Sequence, residues 1–313
     1  MQEVYDVAVI GAGVTGLATG MYAGRLALKT IVFGSNSETE LAVGGVITLT
    51  DVVENYPGFK HLTGMELAEK LRDHALDYDI ALKEERALEI TKGKNGFQIK
   101  TEEGTYDSKT IVIATGSKWR KLPMNGGKEY ENKGVSYCSL CDGPLFKGKD
   151  VAVIGGSDSA AKESLFLAKH AKKVFIIFRG GKMRPEPVNE KLVSQTKNIF
   201  LVPNTNVVEI KGEKFVKSIV LDKPFEGKKE LSVEGVFGAI GHVPLNDLAK
   251  SLGVELNERG EIKINRNSET NVPGVFAAGD VVDSEFKQAI TGVAEGVNAA
   301  YSAFKYVSKN SLV

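Results

Sequence analysis

The stretch GAGVTG, residues 11–16, decides the fold of this chain. Residues 4–10 before it are mostly apolar and predict a buried strand, and the Ala- and Leu-rich residues after it predict a helix to about residue 28. A Gly-x-Gly-x-x-Gly turn between a strand and a helix is typical of a dinucleotide-binding unit. There Gly11 makes the turn, Gly13 admits a pyrophosphate close to the backbone, and Gly16 lets helix and strand pack. A glycine-rich turn without a ligand is the alternative.

The middle of the chain repeats this pattern. Residues 150–154 predict a strand, GGSDSA at residues 155–160 a turn, and a helix then leads to a strand at residues 174–178. We expect a second nucleotide site here, although the middle glycine of the motif is replaced by a serine whose side chain narrows the backbone approach. A turn that binds no nucleotide tightly is the alternative. The residues of this expected site are Gly155, Ser157, Asp158 and Ser159.

Basic residues follow the second strand of that unit, at Arg179, Lys182 and Arg184. Guanidinium groups match the oxygens of a phosphate, so arginines at this place can hold the 2′-phosphate of NADPH. A solvated basic loop is the alternative, because surface charge is common. Together the two units predict an α/β protein with two Rossmann-like dinucleotide-binding domains.

The only cysteines of the chain, Cys138 and Cys141, lie between the two turns with Cys-x-x-Cys spacing. Such a pair can exchange two electrons with a partner when one sulfur is held as thiolate, and the adjacent Asp142 offers a proton source. Half of a zinc knuckle and a pair of inert buried thiols are the alternatives. A zinc site needs four ligands, and the four histidines are dispersed. A structural disulfide would close a loop too small to add much stability. The pattern favours redox chemistry and predicts no metal site.

Length and composition limit the remaining possibilities. The chain has 313 residues, which favours two domains, and 42% of them are hydrophobic. Its formal net charge is zero, so nothing indicates binding to nucleic acid or to an anionic membrane surface. No apolar run approaches the roughly 20 residues of a membrane span. The early first strand leaves no room for a signal peptide, and a single cysteine pair favours a cytoplasmic location.

Smaller patterns complete the outline. Residues 30–33 predict a strand that ends without the acid often found near a ribose, and Ser35 or Asn36 can replace it with neutral hydrogen bonds. Thr63 and Glu66 form a capping box that starts a helix. Alternating residues between 80 and 110 predict a small antiparallel sheet with a turn at Asn95 and Gly96.

Taken together, these residues resemble the low-molecular-weight thioredoxin reductase family, which are FAD-dependent pyridine nucleotide-disulfide oxidoreductases. The likeness extends over essentially the whole chain, in eight blocks that keep the family's order: GAGVTG at 11–16, GG at 44–45, VENYPG at 53–58, ATG at 114–116, CSLCDG at 138–143, GHVP at 241–244, PGVFAAGD at 273–280 and QA at 288–289. The resemblance implies a homodimer and a discontinuous FAD-binding domain, residues 1–117 and 245–313. A nicotinamide-nucleotide and redox-disulfide domain, residues 118–244, would be inserted into it.

The family's functional residues transfer by motif. Cys141 would be the thiol against the flavin, Cys138 the interchange thiol that attacks the partner's disulfide, and Asp142 the general acid and base. The resemblance also implies the contacts with FAD. The pyrophosphate would lie against Gly11, Gly13 and Gly16, and the cofactor would be lined by Gly45, Asn55 and Thr115. Its ribityl or phosphate region would bond to Asp280, and its flavin ring would lie near the backbone of Gln288 and Ala289.

Departures from the family pattern concentrate in the nicotinamide domain. Gly180 stands where the family has the central arginine of its phosphate clamp, which leaves Arg179 and Arg184, and Ser157 replaces a glycine of the turn. Nearer the flavin, Lys287 replaces an arginine. The resemblance therefore implies NADPH as electron donor, with NADH, ferredoxin or another reductant as the alternative.

These observations predict a thioredoxin reductase. Electrons from a reduced nicotinamide cofactor would pass through FAD and the Cys138–Cys141 dithiol to the disulfide of thioredoxin or a thioredoxin-like protein. A related flavin disulfide oxidoreductase with another donor, or one acting as a dithiol oxidase, is the first alternative. A non-catalytic redox sensor that binds nucleotides is the second.

Overall fold

A computed structural model describes residues 3–35, 42–93 and 96–310 of the chain. Two residues with predicted roles, Asn36 near the ribose and Asn95 in the hairpin turn, lie outside the described residues. The chain forms two compact units. The first comprises Met1–Lys118 and Pro244–Val313, and the second comprises Trp119–Val243.

The strands of the two units are numbered in chain order. They are β1 (Val4–Ile10), β2 (Thr30–Phe33), β3 (Ile80–Lys83), β4 (Ala87–Gly93), β5 (Gly96–Thr101), β6 (Thr105–Ile113), β7 (Ser117–Trp119), β8 (Val135–Ser136), β9 (Asp150–Ile154), β10 (Lys173–Ile177), β11 (Ile199–Val202), β12 (Val207–Gly212), β13 (Val216–Phe225), β14 (Lys228–Ser232), β15 (Gly235–Gly238), β16 (His242–Pro244) and β17 (Val275–Ala277).

The helices follow the same numbering convention. They are α1 (Val14–Arg25), α2 (Gly64–Leu76), α3 (Ser139–Asp142), α4 (Asp158–Ala168), α5 (Pro187–Gln195), α6 (Asp247–Ser251) and α7 (Ala289–Asn310). Two segments, Gly45–Leu49 and Gly143–Phe146, are 3-10 helices. Within the described residues, every helix is too short or too polar to span a bilayer.

The first unit is built on a sheet of order β3-β2-β1-β6, with β17 paired to β6, and all these neighbours are parallel. Strands β5 and β4 extend it with antiparallel pairing from the N-terminal half of β6. The predicted antiparallel sheet is therefore confirmed for residues 87–108 but wrong for β3. That strand follows helix α2, and a helical crossover returns the chain parallel to the strand it left.

Alternating residues of β1 supply both faces of this sheet. Val7 and Val9 pack with α1 and α7, whereas Ala8 and Ile10 pack on the opposite face. Helix α1 begins where predicted but ends at Arg25, before the predicted residue 28. Ala27 has a φ of 58°, and the amide of Leu28 bonds back to the carbonyl of Ala23, which closes the helix C-terminus.

The second unit has a fully parallel sheet of order β11-β10-β9-β15-β8. Helices α4 and α5 cover one face through Ala161, Leu167 and Val193, and the antiparallel strands β12-β13-β14 cover the other. Both units therefore carry a parallel sheet with a glycine-rich strand–turn–helix, and the second is inserted into the first. The predicted fold class is confirmed.

Candidate functional site

The first glycine turn has no space for a side chain at its first and third glycines. Gly11 has a φ of 110°, and a Cβ there would lie 2.3 Å from the carbonyl oxygen of Ala114. A Cβ on Gly16 would lie 1.7 Å from the carbonyl oxygen of Gly11. Helix α1 follows directly, with Gly13 at its N-cap position. Because Gly13 has no side chain to cap the helix, the first amides of α1 remain accessible to an anion.

A second glycine segment packs against this turn. Gly44 donates its amide hydrogen to the carbonyl of Ala12, at 2.8 Å. Gly45 has a φ of 70°, and a Cβ on it would lie 2.9 Å from the Cα of Gly13. The two backbones therefore meet without intervening side chains, and the structure brings the predicted residues Gly13 and Gly45 together.

The predicted residue Asp280 follows β17 at the carboxyl end of the sheet. Ser117 donates its hydroxyl hydrogen to Oδ2 of Asp280, at 3.3 Å. The Nζ of Lys287 donates to the main-chain oxygen of Asp280 at 3.1 Å and forms an ion pair with Glu261, also at 3.1 Å. Burial raises the pKa of Glu261, but hydrogen bonds from Asn257 and Lys287 outweigh it, so the pKa lies below its usual value. Lys287 thus holds the loop that carries Asp280.

Glu295 of α7 supports the same loop. Its Oε2 accepts the amide hydrogen of Gly279 at 2.8 Å, and its Oε1 accepts the hydroxyl hydrogen of Ser284. The predicted residue Thr115 donates its hydroxyl hydrogen to the carbonyl of Leu245, at 2.6 Å. The hydroxyl of Thr115 therefore stabilises the backbone at Leu245 in this structure. Sequence reasoning missed Glu295, because its contacts are remote in the chain.

Asn55 and Gln288, predicted from separate motifs, are joined directly. The Nδ2 of Asn55 donates to Oε1 of Gln288, at 3.0 Å. Ala289 begins α7 and packs against a small cluster that includes Val53 and Leu67. The structure thus gathers two predicted clusters in the first unit: the glycine turn with Gly45, and Asn55 with Gln288 and Ala289.

The second glycine turn has the same backbone but different side chains. Gly155 has a φ of 150°, and a Cβ there would lie 2.1 Å from the carbonyl oxygen of Ala239. Ser157 occupies the N-cap position of α4. Its backbone forms an isolated parallel β-bridge with that of Arg184, and the main-chain amide of Arg184 donates to the carbonyl of Gly156 at 2.8 Å. Arg184 is exposed beside the turn, as are Ser159 and Arg179.

Asp158 places a carboxylate in the first turn of α4. Its Oδ1 accepts from the amide of Glu186 and from Nδ2 of Asn189, both at 2.8 Å. Its Oδ2 pairs with Nζ of Lys162, also at 2.8 Å. Burial raises the pKa of Asp158, but these hydrogen bonds and the lysine outweigh it, so the pKa is lowered. A charged carboxylate therefore stands where the helix would otherwise attract a phosphate.

The two cysteines form a disulfide at the start of α3. Their Cα atoms are 5.4 Å apart, and Cys141 donates its amide hydrogen to the sulfur of Cys138 at 3.1 Å. Cys138 is buried and Cys141 is exposed. Asp142 is half-buried at the end of α3. Within the described part of the chain, no group of three or more His, Cys, Asp or Glu side chains could hold a metal ion.

A carboxyl that the sequence did not reveal lies next to this disulfide. Oε2 of Glu163, on α4, accepts the amide hydrogen of Ser139 at 2.9 Å. Burial raises the pKa of Glu163, and the hydrogen bond from Ser139 offsets part of this rise. No local motif signals this contact, because the two residues are 24 positions apart and meet only through the packing of α3 on α4.

Comparison with known proteins defines the class of this fold and site. Residues 5–296 match the family model of pyridine nucleotide-disulphide oxidoreductases. The chain belongs to this family. The predicted family, fold class and enzyme class are thereby confirmed.

Solved thioredoxin reductases share this fold. A thioredoxin reductase of T. acidophilum is 35% identical with a TM-score of 0.90, and each chain is fully covered. That of Lactococcus lactis is 33% identical with a TM-score of 0.92, over 97% of this chain and 99% of its own. The F subunit of alkyl hydroperoxide reductase from Staphylococcus aureus (strain MRSA252) is 38% identical over 312 residues, or 99% of this chain. The chain spans about 60% of the length of that relative.

Proposed function

We propose that this protein is a thioredoxin reductase that passes two electrons from a soluble donor to the disulfide of thioredoxin or a thioredoxin-like protein. The observation that carries the proposal is the disulfide between the buried Cys138 and the exposed Cys141, in a unit with its own glycine-rich strand–turn–helix. Two electrons and two protons convert this disulfide to two thiols. The dithiol then returns both to the disulfide of the partner and is reoxidised. Thioredoxin is named for the related structures from T. acidophilum and Lactococcus lactis.

FAD fits the first unit. Gly13 leaves the start of α1 without a side chain at the N-cap position, and this helix end offers amides to a pyrophosphate. Bound there, FAD supplies the two-electron chemistry. Two clusters of residues in this unit would hold FAD, together with Asp280. The clusters are Gly11, Gly13, Gly16 and Gly45, and Asn55, Gln288 and Ala289. Thr115 contributes backbone, because its hydroxyl is already bonded to Leu245.

The two sulfurs have different roles in this proposal. Cys138 is the interchange thiol and Cys141 the flavin-side thiol, with Asp142 as the proton donor and acceptor. Residue exposure alone would assign the two roles the other way round, because Cys141 is the exposed residue of the pair. Trapping decides between them. A thioredoxin variant without its second active-site cysteine, whose remaining cysteine is first converted to the mixed disulfide with thionitrobenzoate, should react with Cys141→Ser to form a stable protein–protein disulfide and release thionitrobenzoate. A trap that forms only with Cys138→Ser reverses the assignment.

The activity itself is tested on the full chain. Purified protein should be yellow, and thioredoxin turnover should fall by at least about 1,000-fold in both Cys138→Ser and Cys141→Ser, since each removes half of the exchange pair. Bleaching of the flavin band by the donor should persist in both variants, which controls for folding. A colourless protein that takes up no flavin would refute the proposal, as would full turnover in either variant.

The donor is NADPH in the leading form of this proposal. Arg179 and Arg184 would contact its 2′-phosphate, and Gly155, Ser157 and Ser159 would hold the pyrophosphate at the start of α4. NADH, ferredoxin or another reductant is the second candidate, and two observations favour it. Gly180 lacks a clamp side chain, and the carboxylate of Asp158 occupies the start of α4. Anaerobic titration separates them: NADPH, NADH and reduced ferredoxin are added in turn, and the one that bleaches the flavin is the donor.

The remaining features of the proposal come from the family resemblance and from the composition of the chain. We propose a homodimer that acts in the cytoplasm on a protein disulfide and binds neither nucleic acid nor membrane. Sedimentation of the flavin-loaded protein tests the dimer directly, because a single species at the mass of one chain would contradict it.

A further inference from the structure

Helix α3, which carries the disulfide, begins against the half-buried carboxyl group of Glu163. Cys138 is the N-cap residue of α3, Ser139 its first residue and Cys141 its third. The amide of Ser139 donates to Oε2 of Glu163 at 2.9 Å. A helix N-terminus ordinarily directs its free amides toward a cysteine at that end and stabilises its thiolate. Here one of those amides is bonded to a carboxylate instead.

Burial is the main influence on the pKa of Glu163. Burial raises its pKa, and only the hydrogen bond from Ser139 acts in the opposite direction. Charged residues also occur on the elements that pack against α4 and on α4 itself: Asp142 on α3, Asp150 on β9, Lys173 on β10, Glu190 and Lys191 on α5, and Asp158 and Lys162 on α4. Burial and the contact with the helix that carries the cysteines are the causes that dominate the pKa of Glu163.

We propose that Glu163 is a positioning residue that sets the redox equilibrium of the Cys138–Cys141 pair, because its negative charge beside the Ser139 amide disfavours a thiolate at Cys138. Reduction breaks the S–S bond with two electrons and one or two protons, giving one thiol and one thiolate, or two thiols. A nearby carboxylate opposes the thiolate form. It thereby makes the dithiol a stronger reductant toward the partner. This inference rests on the proposed function for its biological meaning, but the chemistry is measurable without flavin turnover.

Replacement of the charge alone tests this role. Glu163→Gln retains an oxygen that can accept from Ser139 and loses the negative charge. In a Cys141→Ser background, we expect iodoacetamide to alkylate Cys138 about tenfold faster at pH 8 than in the parent. The difference should vanish at acid pH, where the parent's carboxyl is protonated. With both cysteines present, the equilibrium with glutathione should shift about tenfold toward the dithiol, which corresponds to about 30 mV.

Two matched variants separate charge from packing. Glu163→Asp keeps the charge and should stay within about twofold of the parent at every pH. Glu213→Gln removes an exposed carboxylate of the same unit and should change nothing. Equal rates in the parent and in Glu163→Gln at every pH would overturn the proposal. Equal changes in the Gln and Asp variants would do the same, because they would mark a purely structural cap.

If Glu163→Gln does not fold, the pH dependence of Cys138 alkylation in the Cys141→Ser protein with Glu163 intact still tests the proposal. The proposal requires the alkylation rate of Cys138 in Cys141→Ser to follow two ionisations, that of the thiol and that of a carboxyl. A profile that follows the thiol alone would overturn it. Failure of thioredoxin turnover with the expected alkylation profile would instead contradict only the proposed function.

Discussion

The two glycine turns of this protein share a backbone and differ in what they can bind. In both, the first glycine has a positive φ and lies too close to a carbonyl of the same unit to carry a Cβ: Ala114 for Gly11, and Ala239 for Gly155. The first turn has Gly13 at the N-cap position and the uncharged residue Val14 as the first residue of its helix. The second presents Ser157 and the carboxylate of Asp158. The fold is repeated, but the charge at the start of the helix differs.

The charged side chain of the second turn has a structural role of its own. Asp158 is held by the amide of Glu186, by Asn189 and by Lys162, so its carboxylate fastens the loop after β10 to α4. A side chain in that role stabilises the unit without any ligand. The carboxylate and a pyrophosphate would compete for the same helix N-terminus, because both are anions.

The largest expected contrast lies at the third position of each motif. Gly16→Ala would place a Cβ 1.7 Å from the carbonyl oxygen of Gly11, and backbone cannot move aside cheaply. We expect a loss of about 3 kcal/mol of unfolding free energy and of most bound flavin. The corresponding residue of the second turn, Ala160, is fully buried. Ala160→Gly should cost only about 1–2 kcal/mol.

Thermal unfolding and flavin absorbance of the purified variants check this contrast. Ala160→Gly serves as the control for a single-methyl change in a helix, and it should retain its flavin. A Gly16→Ala variant with a full complement of flavin and an unchanged midpoint would show that the first turn tolerates side chains. The two turns would then be equivalent in packing, and their difference would lie in charge alone.

Most of the fold was predictable because it depends on local patterns. Strand β1 and the capping box at Thr63 were predicted at the correct residues, since apolar runs and caps act within a few positions. The direction of β3 was not predictable from its own residues, because pairing is decided by the crossover through α2. The end of α1 was also missed, since the left-handed conformation of Ala27 has no strong signature in its sequence.

The site was predictable where a motif carries it. The motifs indicated the cysteine pair and named Gly13, Gly45, Asn55 and Gln288 separately, and the structure brings Gly13 to Gly45 and Asn55 to Gln288. The supporting carboxylates could not be found in this way. Glu163 and Glu295 act through contacts on helices remote in sequence, and acidic residues on a helix normally indicate a solvated face.

A smaller effect is expected from the charge of Asp158, which the second turn has and the first turn lacks. Asp158→Asn keeps an oxygen for Glu186 and Asn189 but removes the negative charge and frees Lys162. We expect the binding of NADPH or NADH to the second unit to tighten about tenfold, or about 1.4 kcal/mol, because one anion no longer opposes another. Isothermal titration of wild type, Asp158→Asn and the control Glu213→Gln measures this. Equal affinities in all three would mean that the pyrophosphate does not approach the start of α4.

The smallest effect concerns stability and pH in the same second turn. The lowered pKa of Asp158 means that its carboxylate stabilises the folded state at any pH above about 4, the ordinary value of an unfolded aspartate. That contribution is lost as the pH falls through the lowered folded pKa. Wild type should therefore be more stable than Asp158→Asn by about 0.5–1 kcal/mol at pH 7, with the difference shrinking below pH 4. Calorimetry from pH 3.5 to 7 checks this, and a difference that stays constant down to pH 3.5 would show that packing of the loop, and not the charge, makes this turn stable without a ligand.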